Sequence, residues 1–563
     1  MDMKKIKYLL SAFTVSCAMV LSLGACSDYF DPELTGVVGI DNRTIQQERD
    51  AFYQMNGILQ LMQQIGDGYV VAGELRSDLV SQTANSSQDL RDIEFFSADS
   101  TNSYLIERKL YELVNNCNYL ISAVDHDYMG AKADTLVAQS TCIRSWAFMQ
   151  LALDYGHAYY YTDPVLSDDD EVEVQKLGVD QLVDVLIADL LPYLPADGVS
   201  ERLPFSTGQY ATINSYATSY LFIPVRYMLA ELYMWKENFA EAARLYYQLM
   251  LDRKLTTPLV HNRWRNSQCT DINIHNWNSQ FSSLSSNNQL FVIPFSSDFV
   301  SGQTRLPQLF DSEFQLSAST QCHSIFQSQT YSADITVVST RGDLRGYPLT
   351  TDYGCYVMRT AKSTDEVPTD AHVVKYNNLK ASGSSYVPVA RAAKIYLRYA
   401  EAVNRLGLHQ LAFAVLKYGL NATTMLNTNY VGKTDYTAYP FTDFGQVNLT
   451  LASTFNGNEP LHSRGCGDSY KNSTFAIDTN TGIDSLTDVE NKIMDEYVLE
   501  CAFEGGRFHD LMRISQYRRS PKYLAEKVAA KLATVSGTPL DVAGWTSYLE
   551  NKENWYLPSR SRR

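Results

Sequence analysis

Basic residues are scarce in this chain relative to acidic ones. The 563 residues include 47 Lys and Arg against 63 Asp and Glu, so the formal net charge is −16 at neutral pH. A nucleic-acid-binding protein needs a surplus of cations to neutralise phosphates, and a polybasic membrane attachment needs the same surplus. Both classes of function are therefore disfavoured.

Long apolar runs and metal-type cysteine spacings are also missing. Beyond residue 25, no stretch approaches the roughly 18 apolar residues that a membrane-spanning helix needs. Nine cysteines are present, of which seven follow Cys26, and no CxxC spacing occurs among them. In an exported protein, one disulfide among Cys269, Cys322 and Cys355 is possible, and the sequence alone does not decide whether it forms.

The chain lacks the signature motifs of the common enzyme classes. It contains no HExxH, no GxSxG, no Walker A motif and no Gly-rich dinucleotide turn. His509 beside Asp510 could suggest acid–base chemistry, but an ion pair or cap with Glu504 and Arg507 is the simpler interpretation. Because a glycosidase needs only two suitably placed carboxylates, a hydrolase remains an alternative. We predict a protein that is not an enzyme.

One acidic run could in principle bind a cation. It consists of Asp168, Asp169, Asp170 and Glu171. Such a run is usually a solvated loop, and a structural calcium there has no support beyond the run itself. The sequence therefore predicts no cofactor and no metal.

The first 26 residues have the layout of an export signal. Lys4, Lys5 and Lys7 precede an apolar stretch that ends at Leu23, which is typical of a secretory signal peptide. The residues before Cys26 are Leu-Gly-Ala, which resembles the lipobox of bacterial lipoproteins. This resemblance implies cleavage before Cys26 and lipidation of that cysteine, whereas an ordinary signal peptide with a chance cysteine is the alternative.

The first half of the chain shows the periodicity of amphipathic helices. Residues 103–125 place Leu110, Leu113, Cys117 and Leu120 on one helix face, with alternating spacings of three and four. Similar patterns cover residues 44–65, 135–155 and 179–191. This half is therefore predicted to be helical.

Two later segments resemble degenerate tetratricopeptide units. In residues 225–250 and 394–420, pairs of alanines twelve residues apart allow two antiparallel helices to pack closely: Ala230 with Ala242, and Ala400 with Ala412. Between and after them lie long polar stretches rich in Ser, Asn, Thr and Gly, and long ordered loops on a rigid scaffold commonly carry function.

These patterns predict a mainly α protein, with a tetratricopeptide-like helical scaffold and long loop-rich insertions. We predict a lipoprotein signal peptide at residues 1–25 and a single domain at residues 26–563. The scaffold covers about 40–255, 390–427 and 486–535, and the insertions cover about 255–390 and 428–485.

Five segments together resemble the SusD/RagB family of nutrient-binding outer-membrane lipoproteins of Bacteroidetes. In chain order they are Leu23-Gly24-Ala25-Cys26-Ser27-Asp28, then Gly73-Glu74-Leu75-Arg76-Ser77-Asp78, then Arg144-Ser145-Trp146-Ala147-Phe148 with Leu153-Asp154-Tyr155-Gly156, then the two helical units, and last Phe503-Glu504-Gly505-Gly506-Arg507-Phe508-His509-Asp510-Leu511-Met512-Arg513. Their order and spacing, rather than any one segment, make the match.

The resemblance implies a SusD-like α/α superhelix that packs against a TonB-dependent β-barrel transporter of the SusC type. Such a lipoprotein faces the cell exterior, captures an oligosaccharide and closes it over the barrel as a hinged lid, without making or breaking a bond. Capture of oligopeptides by the same architecture is the close alternative. A protein-interaction adaptor that uses the helical repeats is a further alternative.

Candidate ligand contacts come from the residue types that bind sugars, which are aromatic faces, planar amides, arginines and carboxylates. The chain has 38 tyrosines and six tryptophans, most of which must be structural. Two polar segments combine the required residue types, residues 261–278 and residues 76–91, and Gln82 lies in the second. Tyr353 is a weaker candidate. The predicted ligand-binding residues are Trp264, Arg265, Trp277, Asn278, Arg76, Asp78, Asn85 and Tyr353. The tryptophans could instead plug the core, and Arg76 and Asp78 could form a structural pair.

Overall fold

The fold is known from a computed structural model of the chain. It describes residues 44–167, 169–201, 212–213, 216–258, 262–264, 272–274, 277, 281, 289–296, 304–334, 337–339, 342–346, 354–359, 370–376 and 384–559. The described residues from Gln46 onward belong to one compact unit. The predicted signal peptide and Cys26 lie outside the described residues.

The first half of the described chain is mostly helical. In order it contains α1 (Glu48–Leu75), β1 (Val80–Gln82), α2 (Gln88–Glu94), α3 (Glu107–Ala123), α4 (His126–Met129), α5 (Ala131–Tyr155), β2 (Ala158–Tyr160), β3 (Gln175–Leu177), α6 (Val179–Leu190), β4 (Thr212–Ile213), β5 (Tyr216–Ala217), α7 (Val225–Trp235) and α8 (Phe239–Arg253).

The next part of the chain is dominated by short strands. It contains β6 (Asn262–Trp264), β7 (Ile272–Ile274), β8 (Gln289–Ser296), β9 (Leu316–Ala318), α9 (Thr320–Gln327), β10 (Tyr331–Asp334), β11 (Val337–Ser339), β12 (Tyr356–Met358), β13 (Ala371–Val373) and β14 (Ser384–Arg391). Each described ladder joins two antiparallel strands, and the longest pairs β8 with β14.

The remainder returns to helices. These are α10 (Ala392–Arg405), α11 (His409–Lys417), α12 (Ala422–Met425), α13 (Thr428–Val431), α14 (Ala452–Phe455), α15 (Ser463–Cys466), α16 (Ser485–Cys501), α17 (Arg507–Tyr517), α18 (Lys522–Leu532) and α19 (Val542–Glu550). The long helices pack in series, α1 on α3, α3 on α5, α5 on α6, α6 on α7, α7 on α8, α8 on α10 and α10 on α16.

Apolar spacing explains why these helices form and pack. Leu110, Leu113, Cys117 and Leu120 are all fully buried on one face of α3, as the periodicity predicts. The four alanines of the two tetratricopeptide-like units are also fully buried, so α7 approaches α8 closely and α10 approaches α11. The predicted class, a mainly α scaffold with loop-rich insertions, is confirmed.

Three of the segments singled out in the sequence meet at one point of the scaffold. Arg76, just after α1, forms an ion pair with Asp154 of α5, and His509 of α17 lies 2.9 Å from the same carboxylate. The guanidinium of Arg507 donates two hydrogen bonds to the Asp78 carboxylate, at 2.7 and 2.8 Å. These ion pairs fix the end of α1 against α5 and α17.

The end of α1 also contacts the turn before α17 through backbone. A Cβ on Gly73 would lie only 1.9 Å from the Gly505 carbonyl oxygen, so glycine is required for this approach. Next to it, the buried Glu74 carboxylate accepts the N–H groups of Gly505 and Phe503 at 2.7 and 3.3 Å. Burial outweighs these bonds and raises the pKa of Glu74 from 4.5 to about 7.

Replacing Glu74 with glutamine is expected to change the pH dependence of stability. Because the folded-state pKa is raised, the folded protein binds a proton more tightly than the unfolded chain, so this group lowers stability as pH rises from about 4.5 to about 7. A glutamine side chain cannot titrate, so the variant should not lose this stability. The free energy of unfolding of the variant minus that of the wild type should therefore increase by about 3 kcal/mol between pH 4.5 and pH 7.

Denaturant unfolding of both proteins at pH 4.5 and pH 7.5 measures this difference. Glu112→Gln is the control, because the Glu112 side chain is 40% exposed and forms an i,i+4 pair with Arg108. Equal pH dependence for Glu74→Gln and the wild type would show that Glu74 is not protonated preferentially in the folded state.

Candidate ligand-binding cavity

A cavity of about 330 Å³ lies beside the β1–β9 ribbon. Its walls come from three distant parts of the chain, residues 81–85, residues 314–320 and residues 534–536. The first wall is one strand and turn after α1, the second includes β9, and the third follows the C-terminus of α18. Side chains from these three segments therefore converge on one space.

Backbone pairing holds the first two walls together. In the antiparallel ladder, Ser81 pairs with Ser317 and Gln82 pairs with Leu316. The third wall closes on them through hydroxyls, since Thr320 Oγ1 lies 3.1 Å from Thr534 Oγ1. The strands thus provide a fixed floor, and the segment after α18 provides a side.

The lining is polar but carries no charge. Of the 13 lining residues, four are apolar, namely Ala84, Phe314, Ala318 and Val535. The other nine carry a hydroxyl or a carboxamide and are Ser81, Gln82, Thr83, Asn85, Ser317, Ser319, Thr320, Thr534 and Ser536. This set can donate and accept hydrogen bonds to an uncharged ligand, whereas an ionic group would find no counter-charge in the lining.

Asn85, one of the predicted ligand contacts, lies at the rim of this cavity. Its side chain is exposed, and its carboxamide makes one hydrogen bond inside the protein, from Nδ2 to the Glu313 carbonyl at 3.2 Å. Thr83 Oγ1 donates to the Phe314 carbonyl at 2.5 Å, which ties the same turn to the second wall. The turn is therefore held in place, and Asn85 keeps hydrogen-bonding capacity for a ligand.

The lining contains two energetically unfavourable features. Phe314 has φ of +47°, in the left-handed region that side chains other than glycine rarely adopt, and its ring stacks on His372 at 3.8 Å. The carboxamide nitrogen and oxygen of Gln82 are buried and have no hydrogen-bond partner among the described residues. Strain and unpaired buried polar atoms tend to persist where function requires them.

Solved structures share this architecture. A SusD superfamily protein from Bacteroides vulgatus aligns with a TM-score of 0.54 and 14% identity, over 92% of this chain and 99% of its own. One from Bacteroides thetaiotaomicron gives 0.53 and 16% identity, over 84% and 92%. A SusD-like carbohydrate binding protein from Bacteroides fragilis gives 0.52 and 12% identity, over 84% and 86%.

The chain has the SusD fold. No family model and no curated protein sequence matches it, so three-dimensional similarity alone carries the assignment. The resemblance predicted from the five sequence segments is confirmed at the level of the fold.

The prediction that Arg76 and Asp78 contact a ligand is corrected by their burial. In this SusD-like fold their exposed fractions are 0% and 2%. Arg76 also donates to the carbonyls of Ala72 and Trp555, both at 2.9 Å. The two residues are structural, as the alternative allowed, but each pairs with a distant partner rather than with the other.

The prediction for Trp277 is corrected in the same way. Its ring is fully buried, and its indole Nε1 donates to Glu500 at 3.3 Å. The ring packs edge-on against Phe281 with centroids 5.1 Å apart, and the Lys375 ammonium lies 5.6 Å from its centre. Trp277 therefore fixes the insertion onto α16, and its polar neighbours in sequence gave a false indication of exposure.

Four other predicted contacts cannot be placed as side chains. Trp264 ends strand β6, which pairs with β7, but its side chain lies outside the described residues. Arg265, Asn278 and Tyr353 also lie outside them. Their roles stay predictions.

Sequence reasoning missed two of the three cavity walls. Gln82 belonged to the segment singled out, but Phe314, the hydroxyls of β9 and residues 534–536 did not. Single serines and threonines carry no distinctive signal, and these residues are brought together by the β1–β9 pairing and by the contact of Thr320 with Thr534.

Among the residues that the structure describes, two further features were candidates for a site. A cavity of about 60 Å³ lies among α1, α5, α7, α10 and α17, where Arg398 and Arg513 pair with Asp510, and it is too small for a sugar. No group of His, Cys, Asp or Glu among the described residues could hold a metal. Cys322 and Cys355 are free thiols. Within the described chain, no helix is long and apolar enough to cross a membrane.

Proposed function

We propose that the protein is a lipid-anchored, cell-surface glycan-binding protein of the SusD type. It captures an oligosaccharide and delivers it to a TonB-dependent outer-membrane transporter, over which it closes as a hinged lid. The observation that carries the proposal is the 330 Å³ cavity lined by hydroxyls and carboxamides, in a fold shared with a protein described as SusD-like and carbohydrate binding.

The cavity supports binding rather than chemistry. The 13 lining residues include no carboxylate, histidine, cysteine or lysine that could act as an acid, a base or a nucleophile. Hydroxyls and carboxamides are suited to the paired hydroxyls of a sugar ring. The protein's contribution to import is then binding energy and a change in the lid's equilibrium, which the ligand shifts by binding one state more tightly.

Calorimetric titration of the purified protein with oligosaccharides and with a hexapeptide mixture tests the ligand class. We expect saturable binding of at least one oligosaccharide, recovered chemically unchanged after long incubation. Binding of peptides alone would favour the alternative of peptide capture, and cleavage of the bound sugar would contradict a non-catalytic role.

Replacing Cys26 with serine is expected to release the protein from membranes. The proposal requires acyl chains on Cys26, and about 0.8 kcal/mol per buried CH₂ makes several chains a stable anchor. Fractionation of host cells should move the Cys26→Ser variant from the membrane pellet to the soluble fraction. Cys17→Ser is the matched control, because Cys17 lies inside the predicted signal peptide. Retention of the Cys26 variant in the pellet would exclude anchoring through that residue.

A further inference from the structure

We propose that the cavity selects an uncharged sugar unit and that Gln82 recognises it through its carboxamide. The inference rests on the proposed glycan-binding function and adds to it the charge class of the ligand and a specificity-determining residue. Three observations at the cavity support the inference: the absence of charged residues from the lining, the unpaired Gln82 amide and the strained backbone of Phe314.

The ionisable groups that border the cavity are bound to other groups of the protein. The Arg91 guanidinium donates to the backbone carbonyls of Ala84 and Thr83 at 3.1 and 3.5 Å. Glu94 pairs with the buried Lys531 at 2.9 Å and accepts the backbone N–H of Gln82 at 2.8 Å. Glu313 pairs with Arg305 at 3.0 Å. With no charged residue in the lining itself, a uronate or sulfate group entering the cavity would lose its water without contacting a counter-ion there. Neutral sugars incur no such cost.

Gln82 carries unused hydrogen-bonding capacity next to that space. Both polar atoms of its carboxamide are buried without a partner, and the residue lines the cavity. A carboxamide presents one donor group and one acceptor side by side, which matches two neighbouring hydroxyls of a sugar ring. Rotation of the side chain into the cavity would exchange an unsatisfied amide for a satisfied one, so the ligand relieves a cost that the free protein carries.

Phe314 completes the arrangement. It is the one aromatic residue of the lining, and its left-handed backbone is held by the Thr83 hydroxyl and by stacking on His372. An aromatic ring offers a surface for the C–H groups of a pyranose, while Gln82 and the hydroxyls take its polar edge. A strained residue beside an unsatisfied one is the pattern of a site that trades stability for binding.

The test separates stability from binding with a pair of matched variants. Gln82→Met keeps the side-chain volume and removes the unpaired amide. Gln139→Met is the control, because it also removes a buried amide whose two polar atoms are unpaired among the described residues. Gln139 lies in α5 and lines neither cavity. Both variants should raise the midpoint temperature of unfolding by about 1–2 °C.

Binding is measured on a panel of neutral oligosaccharides, comprising glucan, xylan, mannan, galactan and N-acetylhexosamine fragments, together with oligogalacturonate and chondroitin sulfate oligosaccharides. We expect the wild type to bind a neutral member at least about tenfold more tightly than any acidic one. Gln82→Met should weaken that binding about tenfold, and Gln139→Met should leave it unchanged. If Gln82→Met does not fold, Ser536→Trp, which fills the cavity from an exposed rim position, should abolish the same binding.

Three results would overturn the inference while glycan binding stands: preference for an acidic oligosaccharide, unchanged affinity in Gln82→Met, or unchanged affinity in Ser536→Trp. Failure of the wild type to bind any oligosaccharide of either class is a different result, because it contradicts the proposed function itself.

Discussion

Replacing Glu500 with alanine is expected to lower the free energy of unfolding by about 3–5 kcal/mol. The Glu500 carboxylate is fully buried and accepts hydrogen bonds from three arginines, Arg345 at 2.8 Å, Arg391 at 2.7 Å and Arg464 at 2.6 Å. Alanine would remove their shared acceptor and leave buried guanidinium groups short of negative charge. The loss should exceed that of any exposed carboxylate by several-fold.

The position of Glu500 explains why its loss should affect the insertions first. Its three arginines come from the long insertion, from the strand that ends it and from α15, whereas Glu500 belongs to scaffold helix α16. The arginines hold the pKa of Glu500 well below its usual value against the opposing effect of burial. This stabilisation is therefore fully present above about pH 4.5 and is lost as pH falls further.

Guanidinium unfolding followed by circular dichroism measures the effect, with limited proteolysis to locate the first segment to open. Glu500→Gln should give an intermediate loss, because glutamine keeps one acceptor oxygen. Glu112→Gln on the surface should change stability by less than about 0.5 kcal/mol. A Glu500→Ala protein within about 1 kcal/mol of the wild type would show that the arginines find other partners and that the cluster is not essential.

Replacing Trp277 with alanine is expected to cost about 3–5 kcal/mol of stability while leaving sugar affinity within about twofold. The indole is fully buried, and its removal leaves a cavity between Phe281, Lys375 and Glu500. Its loss therefore affects the anchoring of the insertion and not the walls of the ligand cavity.

Parallel measurements of unfolding and of binding to the best neutral oligosaccharide separate these roles. Trp277→Phe is the matched variant, because it keeps an aromatic ring and loses the hydrogen bond to Glu500. Reduced sugar affinity with unchanged stability would contradict the structural role and restore Trp277 as a ligand contact.

The sequence predicts the scaffold well because helix periodicity is a local signal. The spacing of Leu110, Leu113, Cys117 and Leu120 identifies a helix face without knowledge of its partner. The same reasoning locates α7 with α8 and α10 with α11. Their small alanines indicate close packing even though the neighbouring helices are unknown.

The site is harder to predict because it depends on distant pairings. Arg76 and Asp78 have the composition of ligand contacts, but their partners Asp154 and Arg507 lie 78 and 429 residues away. Trp277 is fully buried, and its indole donates to a glutamate 223 residues away. The first two cavity walls meet only through the pairing of β1 with β9, and the third joins them where Thr534 contacts Thr320. Among the predicted contacts whose side chains the structure describes, only Asn85 lines the cavity.

Isolation of the tagged full-length protein from gently solubilised outer membranes of its host tests the central claim most directly. Mass spectrometry of the purified material would identify any protein partner and any retained small molecule. The account predicts a β-barrel transporter in about equal amount with the tagged protein, and an uncharged oligosaccharide as the retained ligand. Absence of any barrel across several detergents, or a retained peptide, would contradict glycan delivery to a transporter.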